Sequence, residues 1–257
     1  MRSRFFYPPP WLTVSDDATT LTLPDEVFHH AVTVLRMRAG DVCELFDGMG
    51  NCASVELVQV EKKFAQARRL AEPRLQTENE SPLNITLSQC LSSAEKMDWT
   101  IEKSVELGVN RIVPLFSARS QIKLSAERIE KKMAHWQRII IAACAQSGRN
   151  VCPVLSAPLS LKDWLAQSRS NDQLKLILHP DPQLPQTLRQ VLQELRQPTE
   201  KAAIELLIGP ESGFDVKEIE AAQACGYHAV LLGPRVLRTE TAGLATLSAI
   251  QALWGDF

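Results

Sequence analysis

Ile204-Glu-Leu-Leu-Ile-Gly-Pro-Glu-Ser-Gly-Phe214 and Ala229-Val-Leu-Leu-Gly-Pro-Arg-Val-Leu-Arg-Thr-Glu-Thr-Ala242 are two matched segments near the C-terminus. Each is a short apolar run that stops at Gly-Pro. Such a run suits a strand buried on both faces, as in a parallel sheet. Gly permits unusual dihedrals and Pro removes a backbone donor, so the run ends sharply. Polar residues follow at once: Glu211 and Ser212 in one loop, Arg235, Arg238, Thr239 and Glu240 in the other. Open α/β sheets bind ligands at the carboxyl ends of their strands. The two loops are therefore expected to build one site.

Working outward, the pattern from Leu83 onward alternates strand and helix. Strands are predicted at Asn84–Leu91, Arg111–Phe116, Lys175–Leu178, Ile204–Ile208 and Ala229–Leu232. Helices are predicted at Ala94–Leu107, Ala126–Gln146, Leu161–Gln167, Pro185–Leu195, Val216–Cys225 and Ala242–Trp254. That order implies a mostly parallel sheet with helices on both faces. Residues 1–72 read differently. Short apolar stretches alternate there with turn signals, including Asp47-Gly-Met-Gly-Asn51 between two alternating runs, a hairpin pattern. One helix is expected around Glu26 to Met37. This part reads as a small β-barrel. Pro73 to Pro82 is polar and proline-bounded, and reads as a linker (73–82) to an α/β domain over 83–257.

Bulk properties narrow the function. The 257 residues are 45% hydrophobic with a net charge of −2, which excludes global disorder and an overall basic nucleic-acid binder. Any RNA-binding surface must be local. No apolar run is long enough to span a bilayer, and the N-terminus does not read as a signal peptide. Six scattered cysteines without a C-x-x-C pair imply reduced thiols in a cytoplasmic protein, with no metal site expected.

Three predicted strands end in loops of ligand-binding type: Leu178-His-Pro-Asp181, Gly209-Pro-Glu-Ser-Gly213 and Gly233-Pro-Arg-Val-Leu-Arg238. Neither a P-loop nor a G-x-G-x-x-G turn is present. A largely neutral ligand held by backbone amides and apolar contacts fits better than a triphosphate. Plain strand-ending turns are the alternative. Ile129, Met133, Trp136, Ile140 and Cys144 form a helical core stripe. Arg128, Lys131, Lys132, His135 and Arg138 beside it suit either a solvated face or RNA contact. His29, His30 and the five tryptophans read more naturally as packing residues than as ligands or stacking platforms.

The chain resembles the bacterial 16S ribosomal RNA uracil-N3 methyltransferases, the RsmE family of the SPOUT superfamily. The resemblance rests on Arg4-Phe-Phe6, His30-Ala-Val-Thr-Val-Leu-Arg36, Gly40-Asp41, Asp47-Gly48, Lys103-Ser-Val-Glu-Leu-Gly-Val109, Ala118-Arg-Ser120, Gln146-Ser-Gly-Arg149, Gly209-Pro-Glu-Ser-Gly213 and Leu232-Gly-Pro-Arg-Val-Leu-Arg-Thr-Glu-Thr-Ala242. It implies a PUA-like RNA-binding barrel, a SPOUT domain with a deep trefoil knot, bound S-adenosylmethionine and a homodimer. The target it implies is one uridine of 16S ribosomal RNA (uridine 1498 in the family) in the 30S subunit.

N3 of uracil must lose its proton before it can take a methyl group, so the site needs a base and a cation near the ring oxygens. Glu240 and Glu211 are the base candidates, with Arg235 stabilising charge. A structural place for Glu240 at the start of the last helix is the alternative. Cofactor contacts are expected from Leu178, His179, Gly209, Pro210, Glu211, Gly213, Leu232, Gly233, Leu237, Arg238 and Thr239, although Thr239 or Thr241 also suits a helix cap. RNA contacts are expected from Arg2, Arg4, Arg36, Arg38, Arg119 and Arg149.

Two departures stand out: Ser212 replaces the first of a usual Gly pair, and Ala145 stands where the family often has Glu. A catalytically inactive RNA-binding homologue is one rival reading. A nucleotide-dependent oxidoreductase is a second, weakened by the missing dinucleotide turn.

Overall fold

Alternation of apolar and turn-forming residues in the first eighty positions produces a six-stranded sheet. The computed structural model describes residues 3–9, 20–120, 125–167, 173–179, 186–194 and 203–257. The strands are β1 (Arg4–Phe6), β2 (Thr20–Thr22), β3 (Val42–Phe46), β4 (Asn51–Val60), β5 (Ala65–Arg69) and β6 (Arg74–Leu75). Their order is β1-β3-β4-β5-β2, with β6 also on β4. β1 runs parallel to β3 and the other pairs are antiparallel. Between β2 and β3, one helical turn (α1, Asp25–Phe28) passes directly into a π-helical segment, His29–Val34. The helix predicted to reach Met37 ends earlier, because Arg36 takes a left-handed φ of 58°. Phe5, Leu23, Val27, Ala31, Leu45, Val55 and Leu57 fill the core of this sheet. The Asp47 carboxylate accepts from the N–H groups of Met49 (2.7 Å) and Asn51 (3.0 Å), which tightens the β3–β4 turn.

Two compact units emerge: 1–80 with 141–152, and 81–140 with 153–257. The sequence division at 1–72, 73–82 and 83–257 contains no such returning segment. Its physical basis is polar. Arg4 Nη2 donates to Asn150 Oδ1 at 2.6 Å. Glu80 accepts from Arg149 Nε at 2.9 Å and from the backbone N–H groups of Asn150 and Val151. Side-chain anchors of this kind leave no periodic trace in sequence. Strand β6 likewise gives part of the expected linker a place in the sheet.

The second unit contains a seven-stranded parallel sheet. Its strands are β7 (Asn84–Cys90), β8 (Arg111–Phe116), β9 (Val154–Leu155), β10 (Leu159–Ser160), β11 (Leu174–Leu178), β12 (Ala203–Ile208) and β13 (His228–Val230). The order is β10-β8-β7-β12-β11-β13, with β9 on β8. The helices are α2 (Ala94–Glu106), α3 (Ala126–Ser147), α4 (Leu161–Ala166), α5 (Leu188–Glu194), α6 (Val216–Ala224) and α7 (Thr239–Trp254). Predicted and observed elements agree to within a few residues. The short strands β9 and β10 escape prediction because two residues carry no period.

On one face of the sheet, Leu161, Trp164, Phe214, Ala222 and Tyr227 pack over Val113, Ile177 and Leu207. The Glu205 carboxyl lies in this layer, 3% exposed. It accepts from Trp164 Nε1 at 2.6 Å, Ser88 Oγ at 3.1 Å and the Tyr227 hydroxyl. Removing a buried acceptor leaves its donors to bear their own desolvation. Glu205→Ala is expected to destabilise the protein by about 3 kcal/mol, read as a lower midpoint in urea unfolding.

Candidate active site

β11, β12 and β13 stop at one level. Leu178 pairs with Ile208 on one side and with Val230 on the other, each at or beside the end of its strand. The end of β11, at Leu178 and His179, and the loops after β12 and β13 line a cavity of about 520 Å³, a volume in the range of small-molecule sites. Its apolar wall includes Leu178, Ile208, Phe214, Val230, Leu232 and Leu237. Its polar wall includes Lys96, His179, Glu211, Arg235, Arg238 and Thr239.

Local chemistry holds the loops in place. Thr239 opens α7, and its hydroxyl donates to the Gly209 carbonyl while accepting from Gln89 Nε2 at 2.9 Å. One threonine thus ties α7, the end of β12 and the end of β7 together. It is not the helix cap that its position suggested; Arg238 occupies the N-cap place without a side-chain bond. A Cβ at Gly209 would sit 3.1 Å from the Phe214 ring, so glycine permits the close approach of that ring. Gly213 has a φ of +70°, which explains the glycine there. Asp215 and Glu218 form the capping box that starts α6.

Ser212 needs no left-handed backbone, since Arg36 alone among the described non-glycine residues has a positive φ. Its hydroxyl instead donates to the Arg119 carbonyl at 2.9 Å, and Arg119 Nη1 returns a contact to the Ser212 carbonyl at 3.4 Å. The departure from a glycine pair is therefore accommodated. It joins the loop after β12 to the loop after β8.

Charge is arranged around Lys96. Its ammonium lies 3.2 Å from Glu211 Oε1 and 3.9 Å from Glu240 Oε2. Glu211 also accepts from the Ser93 backbone N–H at 3.3 Å, where α2 begins. Burial raises the Glu211 carboxyl, but the N–H groups of Glu211 itself and of Ser93, together with Lys96, outweigh it and hold the group below its ordinary value. A carboxylate so engaged is a poor proton acceptor; its geometry is that of a clasp between the loop and α2. Glu240 lies outside the cavity wall, with its Oε2 buried and accepting no hydrogen bond among the described residues.

Nearly all expected cofactor positions meet in this cavity: Leu178, His179, Gly209, Pro210, Glu211, Gly213, Leu232, Leu237, Arg238 and Thr239. Gly233 does not line it. Arg235 does, exposed at the mouth beside Val236, which is 77% exposed. Lys96 is absent from the sequence expectations. Its one legible sign was a cation in the first turn of a helix, where the macrodipole disfavours positive charge.

The arginines expected at RNA divide. Arg2 lies outside the described residues. Arg149 is 3% exposed and bonded to Glu80. Arg4 pairs with Glu44 and lies 5.3 Å over the Phe46 ring. Arg149 is thus buried and Arg4 largely covered, and each side chain is braced by a carboxylate. Arg36 and Arg38 are exposed, and Arg119 is half-exposed near Asp215. Among the described residues there is no cluster of three or more His, Cys, Asp or Glu side chains that could hold a metal.

The RNA methyltransferase domain family matches residues 79–251, and the RNA methyltransferase PUA domain family matches residues 23–68. Ribosomal RNA small subunit methyltransferase E of Buchnera aphidicola is 34% identical over 91% of this chain and 88% of its own. The chain belongs to the ribosomal RNA small subunit methyltransferase E family. The Bacillus subtilis member is 31% identical, with 91% of each chain covered. A methyltransferase E structure from Neisseria gonorrhoeae, bound to S-adenosylmethionine, superimposes with a TM-score of 0.87 at 39% identity over the full length of both chains. A Legionella pneumophila methyltransferase in complex with the same cofactor gives 0.88 at 38%, again over both full lengths. The fold is thus that of a SPOUT methyltransferase carrying an N-terminal PUA-like unit.

The Glu211 clasp makes a pH prediction. Its carboxyl is depressed in the folded state, so its stabilising contribution is present above the unfolded value and is lost as pH falls through the folded one. Glu211→Gln is expected to be less stable than wild type at neutral pH. The difference should close below the ordinary carboxylate range, as followed by urea unfolding across a pH series.

Proposed function

We propose that this protein binds S-adenosylmethionine in the cavity at the ends of β11, β12 and β13, and methylates N3 of one uridine of 16S ribosomal RNA in the 30S subunit. One observation carries the reading: three strands that end level with one another border a cavity with an apolar wall and a few convergent charges. Leu178, Ile208, Val230, Leu232 and Leu237 suit a flat, largely neutral adenosine, and Arg238 suits the methionine carboxylate. The family resemblance carries the further expectations of a trefoil knot in the second unit, a homodimer and a cytoplasmic place of action. Among the described residues no helix is long and apolar enough to cross a membrane.

When bound, the cofactor supplies an electrophilic methyl group, so the protein's task is to place uracil N3 and favour its deprotonated form. Thr239 and Gln89 hold the loop geometry. Arg235 and Arg238, at the cavity mouth, provide positive charge for the RNA. The target base must leave any stack to reach the cavity, so a flipped or single-stranded uridine is implied. Arg36 and Arg38, exposed in the first unit, give a second electrostatic contact. The ordinary backbone of Ser212 removes the reason to read the chain as an inactive binder.

The direct test supplies labelled S-adenosylmethionine and 30S particles lacking the modification, and analyses the nucleosides. Label in N3-methyluridine is expected; cofactor binding without label would place the target elsewhere. Arg238→Ala is expected to melt like wild type and to lose at least tenfold in cofactor affinity by calorimetry, the order expected of a lost charge-assisted contact. Replacing both Arg36 and Arg38 with Ala should weaken RNA binding and reduce the slope of log affinity against log salt by about 2, measured by filter binding.

A further inference from the structure

Lys96 occupies the first turn of α2, where its charge opposes the helix macrodipole. Two carboxylates from separate elements face it there: Glu211 from the loop after β12, and Glu240 from the first turn of α7. Its own side chain forms part of the cavity wall. An ammonium carries three N–H donors. Glu211 engages one at 3.2 Å, and Glu240, at 3.9 Å, lies beyond hydrogen-bond reach. The lysine is thus a cation held between acids with donor capacity left over at the cavity. The other charged or titratable groups facing this space are His179, Arg235 and Arg238. The two arginines are exposed at its mouth, whereas the Lys96 side chain is 30% exposed.

We propose that Lys96 is a catalytic residue of the transfer step, its ammonium donating to a carbonyl oxygen of the target uracil and stabilising the ring anion. The proposal rests on the function given above. As the N3–H bond breaks, the proton passes to water at the cavity mouth. The electron pair left on N3 forms the new N–C bond to the methyl group. The pair of the broken C–S bond stays on sulfur, so a sulfonium and a uracil anion become two neutral products. Lys96 keeps its proton throughout. Preorganised charge aimed at a developing anion is worth more than the same charge in water. Glu211 and Glu240 are positioning residues, acting through the lysine.

The test compares full-length wild type, Lys96→Met and Lys96→Arg in single-turnover transfer to 30S particles lacking the modification, from neutral to alkaline pH. Cofactor affinity and thermal melting are measured alongside. Lys96→Met is expected to bind cofactor normally and to transfer about 100-fold more slowly at neutral pH. Its deficit should shrink as pH rises, because alkaline solution supplies the uracil anion that the lysine no longer favours. Lys96→Arg should recover part of the rate. If Lys96→Met melts early, the double variant Lys96→Met/Glu240→Gln, which removes the stranded carboxylate, is put through the same comparison. An unchanged rate would overturn the proposal, as would a deficit constant with pH or one accounted for by lost cofactor affinity. Wild type that transfers no methyl at all would instead overturn the parent function.

Discussion

The level ending of β12, β11 and β13 is the constraint on which the site depends. Parallel strands in register end at one edge, and Gly209-Pro210 follows β12 directly. The cavity is therefore a property of the sheet before it is a property of any side chain. Thr239 shows how closely the two are joined. Its hydroxyl reads the carbonyl at the end of β12 and the amide of Gln89 on β7, so α7 cannot shift without disturbing both strands.

Much of this was legible from sequence, for identifiable reasons. Apolar runs of four to six residues ending in Gly-Pro have few structural solutions, so the strands and their ligand-binding ends could be read directly. Most of the loop positions that line the cavity came with them. Partnership between distant charges could not be read. Lys96 lies 115 residues from Glu211 and 144 from Glu240, with no periodicity to connect them. Arg4 and Arg149 looked like surface cations because arginine usually is one. Glu44, Glu80 and Asn150 turn them inward, and only the folded geometry reveals that pairing.

The two kinds of charge have different consequences. At the mouth, Arg235 and Arg238 are exposed and screened by salt, which suits recruitment of a polyanion. Lys96, Glu211 and Glu240 form a separate assembly, with the ammonium 3.2 Å from one carboxylate and 3.9 Å from the other. A net charge of −2 conceals both arrangements, because opposite signs cancel in the total while remaining separate in space.

The return of residues 141–152 to the first unit carries a consequence for how the chain is made. That unit is not a detachable cassette, since a chain cut after Glu80 would lack the Asn150 Oδ1 that accepts from Arg4 and the backbone donors that meet Glu80. During synthesis the first eighty residues emerge well before those partners. The β-sheet can collapse early, but Arg4 and Glu80 must wait for roughly seventy more residues to leave the exit tunnel, several seconds at ordinary elongation rates of about 5–20 residues per second. Completion of the N-terminal unit is therefore coupled in time to the growth of the catalytic one.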